Sequence, residues 1–139
     1  MSVGILIITH DDIGQMLMET AVGALGFCPT QCKLLKVSRT SDPDELVKRA
    51  QYDCDQLDSG EGVLVLTDMY GSTPSNISCR LQNNADTVVV SGVNLPMLIR
   101  AFNYPMLPLL ELAEKAVSGG REGIMNCSAG APQYGLSVE

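Results

Sequence analysis

The sequence predicts an α/β protein built on an open, doubly wound, mostly parallel sheet with helices on both faces. Three observations carry this. The apolar runs Val3-Gly-Ile-Leu-Ile-Ile8 and Val63-Leu-Val-Leu66 lack polar alternation, which suits strands buried on both faces. Segments of helical periodicity separate the strand candidates, as parallel neighbours require. Both runs end abruptly in polar residues, Thr9-His10-Asp11-Asp12 after the first and Thr67-Asp68 after the second. Sheets of this kind carry their chemistry at the carboxyl ends of their strands.

The elements follow in order. Asp12 with Gln15 three residues on reads as a helix start. Ile13, Leu17, Met18, Ala21, Val22 and Leu25 then recur at helical spacing until Gly26. Lys33-Leu-Leu-Lys-Val37 is a short second strand. Asp42-Pro-Asp-Glu45 opens a second helix, with Asp at the cap and Pro at the first helical position. Its buried stripe is Leu46, Val47, Ala50, Cys54 and Leu57, and it stops at Ser59-Gly60. Gly62 to Thr67 is the third strand, and the loop from Met69 leads through Pro74 into a third helix carrying Ile77 and Leu81. Thr87-Val-Val-Val-Ser91 is the fourth strand, and Pro105 to Val117 the last helix, ending before Ser118-Gly-Gly120. Glu122 to Cys127 adds a short edge strand. We expect one domain over residues 1–127 and a loosely held tail over 128–139.

Composition excludes several function classes. Nine Lys and Arg against sixteen Asp and Glu give a net charge of −7, which disfavours nucleic acid and anionic membrane surfaces, since both need a basic footprint. The longest apolar runs are strand-sized, well short of the ~20 residues of a membrane span, and the amino terminus lacks a basic signal region. A cytoplasmic protein is expected. Five scattered cysteines, with only Cys28 and Cys32 close together, fit reduced structural thiols better than a zinc site. Neither a metal nor a cofactor is expected.

The candidate chemistry lies where strands one, three and four converge on one rim. This brings together His10, the only histidine, with Asp68 and its loop, and Ser91-Gly-Val-Asn94. A carboxylate accepting from Nδ1–H leaves the other imidazole nitrogen unprotonated and nucleophilic, and Asp68 is the candidate carboxylate. A helix start whose N–H groups join the Ser72 and Thr73 hydroxyls would hold an anion such as phosphate. That set suits transient phosphorylation of His10. Each residue alone has a plainer reading: a loop histidine, a capping Asp, an ordinary Ser-Thr-Pro helix start. The weight comes from their falling on the same rim. Asp11 and Asp12 read as cap and solvated loop that would repel a nearby phosphate.

Thr9-His10, the stretch Gly62-Val-Leu-Val-Leu-Thr-Asp-Met-Tyr-Gly71-Ser-Thr-Pro-Ser-Asn76, then Gly92-Val-Asn-Leu-Pro-Met-Leu98 and Gly120-Arg-Glu-Gly123 closely resemble the enzyme IIA domain of the mannose-type bacterial sugar phosphotransferase system. The resemblance spans roughly residues 1–125. It implies a cytoplasmic phosphocarrier that takes a phosphoryl group from HPr on His10 and passes it to a IIB component, with Asp68 orienting His10 and Gly71, Ser72 and Thr73 cradling phosphate. It also implies a homodimer in which the strand around Glu122 to Cys127 pairs antiparallel with the other subunit's sheet. Two departures stand out: Asp11 and Ser72 occupy positions where the family usually has glycine, and Thr73 stands at its usual serine.

Other readings stay open. One is a regulatory or dihydroxyacetone-kinase-linked relative of the same domain. Another is a response-regulator receiver domain phosphorylated on Asp68, though its expected lysine after a fifth strand is missing and it leaves His10 unused.

Overall fold

The computed structural model describes residues 2–28, 31–81 and 86–128. In chain order the elements are β1 (Gly4–His10), α1 (Ile13–Leu25), β2 (Cys32–Val37), α2 (Pro43–Leu57), β3 (Val63–Thr67), α3 (Thr73–Arg80), β4 (Thr87–Ser91), α4 (Leu95–Phe102) and α5 (Leu109–Glu122). The strands form one sheet of order β2-β1-β3-β4, every pairing parallel. The register sets Ile8 beside Thr67, and Thr67 beside Ser91.

Two apolar layers explain why the strand sequences do not alternate. Ile5 and Ile7 of β1, with Leu64 and Leu66 of β3, pack against α1, α4 and α5 through Ala21, Leu98, Phe102 and Ala116. Leu6 and Ile8, with Val63 and Val65, pack against α2 and α3 through Ala50, Cys54, Leu57 and Ile77. The residues from Ile5 to Ile8 are fully buried. At roughly 1.5–3 kcal/mol for each large apolar side chain buried, these central strands supply much of the folding drive.

The helix ends show which sequence signals acted. The Asp42 carboxylate accepts from the Asp44 N–H at 3.0 Å, with Pro43 in the first turn. Gly26 ends α1 in the left-handed region, its N–H on the Val22 carbonyl at 2.8 Å. The expected capping pair of α1 does not form. Thr9 Oγ1 accepts from the Gly14 N–H at 2.8 Å instead, the Asp12 carboxylate lies 3.2 Å from Lys36 Nζ, and Gln15 bonds Glu19. The strand before the helix thus does the capping.

Three further differences from expectation concern the second half of the chain. Residues 95–102 form α4, capped by the Asn94 side chain on the Met97 N–H at 2.9 Å. The helix expected over Pro105 to Val117 starts at Leu109 and runs on through Gly119 and Gly120. These glycines are places of close approach: a Cβ on Gly119 would lie 2.5 Å from Arg100 Cβ, and one on Gly120 2.9 Å from Met97 Cε. Finally, Glu122 closes α5, and residues 124–127 belong to no strand of this chain's sheet. The antiparallel strand expected there has no partner among the described residues. The tail expected from Ser128 lies, beyond that residue, outside them.

Candidate active site

The strand order places a topological switch point between β1 and β3. The crossover through α1 leaves β1 for β2 on one side, and the next, through α2, returns to β3 on the other. Above such a point the two connections diverge and leave a crevice at the carboxyl ends of the strands. His10 ends β1, and Asp68 follows β3 directly.

Across this crevice His10 Nδ1 lies 2.7 Å from Asp68 Oδ2, and the backbone N–H of His10 donates to the same oxygen at 3.0 Å. The carboxylate is held further by the Met69 N–H, which donates to Oδ1 at 3.0 Å. Burial pushes the Asp68 carboxyl upward, but the hydrogen bonds from the His10 backbone and ring, with the ring's charge, outweigh it, so its pKa lies below the ordinary 3.8. An ionised carboxylate can only accept. When the ring is neutral, the proton between the two groups therefore sits on Nδ1, which leaves a lone pair on Nε2. The His10 side chain is 39% exposed against 11% for Asp68, so the ring is accessible while the carboxylate is covered.

Strand alternation puts the His10 side chain on the face of Leu6 and Ile8, the face covered by α2 and α3. The start of α3 is the expected anion cradle. Gly71 turns the loop with φ 83°, and Ser72 stands at the cap position but gives no side-chain cap, which leaves first-turn N–H groups open. The Ser72 hydroxyl instead donates to the Met69 carbonyl at 2.6 Å, so its proton is spent within the loop. Thr73 is exposed at the first helical position.

Not every residue expected on this rim serves it. Asn94 caps α4 and donates to the Gly120 carbonyl at 3.1 Å, tying α4 to α5. The shallow apolar concavity lined by Ile13, Met16, Leu17 and Leu95, with Asp11 and Asp12 at its edge, opens on the α1 side, away from the His10 ring. Thr67 reads in the sequence only as the end of a strand. It is fully buried, alternation puts it on the His10 face, and its Oγ1 is the one buried side-chain polar atom without a hydrogen-bond partner among the described residues.

The cysteines form no disulfide among the described residues; burial, aided by Cys28, pushes Cys32 up to about 12, and burial with nearby aspartates pushes Cys54 up to about 11. Among the described residues no His, Cys, Asp or Glu cluster could hold a metal ion, and no helix is long and apolar enough to cross a membrane.

Comparison with known proteins identifies the family. Residues 4–116 match the family model described as the PTS system fructose IIA component. The chain is 29% identical over 138 residues to the mannose-specific EIIAB component of Escherichia coli strain K12, covering 89% of this chain but only 39% of that protein. It thus spans about two-fifths of that relative's length. Among solved structures, the mannose/sorbose-specific IIA subunit from Enterococcus faecalis superposes with a TM-score of 0.82 at 19% identity, covering 96% of this chain and 99% of that one. The PTS IIA protein associated with the fucose utilization operon of Streptococcus pneumoniae gives 0.76 at 26% identity, with 91% and 96% covered. The receiver-domain alternative is thereby displaced. From the match over residues 4–116, the chain belongs to the mannose-type enzyme IIA family of the phosphotransferase system.

Proposed function

We propose that this protein is a phosphohistidine carrier that accepts a phosphoryl group from HPr on Nε2 of His10 and passes it to a IIB component, working in the cytoplasm where both partners act. The observation that carries the reading is the 2.7 Å contact of His10 Nδ1 with Asp68 Oδ2, because it leaves Nε2 as the free nucleophile.

In the proposed transfer the Nε2 lone pair attacks the phosphorus of the donor's phosphohistidine. The donor's P–N bond breaks, and its electron pair returns to the donor imidazole. No proton has to leave Nε2. Asp68 holds the ring and balances the positive charge that develops on it, as a carboxylate does for an imidazolium. The open N–H groups at the start of α3, with Gly71 letting the backbone approach and Thr73 offering its hydroxyl, face the charge on the phosphoryl oxygens. For Ser72 to join them, its hydroxyl must release the Met69 carbonyl. Transfer to IIB is the same displacement with the roles exchanged.

The reading extends to a homodimer. β4 is an edge strand, and Ile124 and Met125 lie exposed just beyond α5. We propose that the segment Glu122 to Cys127 pairs antiparallel with a partner subunit's sheet, which would cover that edge. Removing residues from Glu122 onward then yields monomers in sedimentation; an unaltered dimer refutes this.

The test of the carrier role is labelling from phosphoenolpyruvate through enzyme I and HPr. The wild-type chain takes label that is lost in acid and survives base, as a phosphoramidate does. His10→Ala takes none and keeps its fold, and label persisting on that variant would move the acceptor elsewhere.

A further inference from the structure

Asp11 is the only non-glycine residue with positive φ among the described residues, at 44°. In that region an L side chain crowds the backbone, a cost that glycine does not carry. The turn itself needs only the main chain, since the Asp11 N–H donates to the Val37 carbonyl at 2.9 Å. Glycine could make the same bond. The turn therefore does not require the acidic side chain, which glycine could replace at lower conformational cost, and it stands directly after the candidate nucleophile, where such outliers tend to cluster.

Three carboxylates belong to this rim, and two have partners. Asp12 faces Lys36 Nζ at 3.2 Å, and Asp68 takes the His10 ring. Asp11 is exposed and makes no ion pair among the described residues. A phosphoryl group on Nε2 would add about two negative charges one residue along the chain from a carboxylate that forms no ion pair among the described residues.

We propose that Asp11 sets the transfer potential of the site: its charge destabilises phosphorylated His10 and drives the phosphoryl group onward to the next acceptor. This rests on the reading of His10 as acceptor. Across partly solvated surface, one carboxylate against a dianion shifts the equilibrium by about three- to tenfold at low salt, and salt screens the effect.

Two variants separate charge from backbone strain. Asp11→Asn removes the charge and keeps a side chain that tolerates the left-handed region, whereas Asp11→Gly removes both charge and strain. The full-length chain is equilibrated with phosphorylated HPr after enzyme I is removed, and the partition of label between the two proteins is measured at about 50 mM and about 0.5 M salt. Both variants should move the partition toward the phosphorylated chain by a similar factor, and the shift should shrink at high salt. The Tm should rise clearly for Asp11→Gly and much less for Asp11→Asn. A shift in the glycine variant alone, no shift in either, or a shift indifferent to salt overturns the proposal. A wild-type chain that takes no label overturns the carrier reading and this inference together; label without a shift overturns this inference alone.

Discussion

One oxygen of Asp68, Oδ2, receives both the backbone N–H of His10 at 3.0 Å and its ring Nδ1 at 2.7 Å. The double contact fixes the strand end and the ring rotation together, so the orientation of Nε2 depends on β1 and β3 keeping their register. Asp68→Asn offers either an oxygen or an amide to this point and favours no single tautomer. We expect the folded state to persist and HPr-dependent labelling to slow by about ten- to a hundredfold, on the scale of lost supporting contacts at functional sites. Unchanged labelling kinetics would remove Asp68 from the mechanism.

The same contact makes stability depend on acid. Asp68 titrates below the unfolded value of 3.8 in the folded chain, so the folded state binds the carboxylate form more favourably. That contribution is fully present above the unfolded pKa and is lost as pH falls through the lower folded value. Urea midpoints measured from about pH 5 down to about pH 2 should therefore fall less steeply for Asp68→Asn than for wild type. Parallel curves for the two proteins would contradict the depressed pKa.

Much of this site is legible in the amino-acid sequence because strand and helix signals agree with the tertiary environment. The runs ending at His10 and Thr67 are buried on both faces, so composition alone identifies them and places Asp68 at a strand end. The pairing of His10 with Asp68 follows once β3 lies beside β1. The misses come from residues with more than one use. The helix that Asn94 and Pro96 open, α4, has no place among the elements expected from the sequence, although Asp42 and Pro43 show the same grammar at α2. Gly119 and Gly120 read as a helix stop, because the close approach they permit belongs to a partner helix that no local window contains. Thr9 and Asp12 exchange roles for a similar reason, since the nearby Lys36 comes from another strand.

The contact between α4 and α5 should respond sharply to a single methyl. Gly119→Ala would place Cβ 2.5 Å from Arg100 Cβ, with Arg100 Cγ at 2.8 Å. The Arg100 Cβ is fixed to its backbone, so the helices must part. A loss of about 1–3 kcal/mol is expected from overpacking of this kind, read as a lower urea midpoint with His10 labelling retained below the transition. Stability equal to wild type would show that the helices separate at little cost.

Thr67 gives the opposite sign. Its hydroxyl is sealed in the core without a hydrogen-bond partner, and a donor buried in this way costs roughly 1–3 kcal/mol relative to one that is paired. Thr67→Val keeps the branched shape beside Ile8 and replaces the hydroxyl with a methyl group that suits the surrounding aliphatic layer. The variant should gain about 1 kcal/mol or more, which for a chain of this size raises the Tm by roughly 3–5 °C. Because Thr67 lies next to Asp68, labelling of His10 should be followed in the same samples, so that a stabilised chain can be told from one whose β3 end has moved. A Tm that stays level or falls would mean that the hydroxyl is satisfied in solution, and the strand end would then be held by a bond that the folded chain alone does not supply.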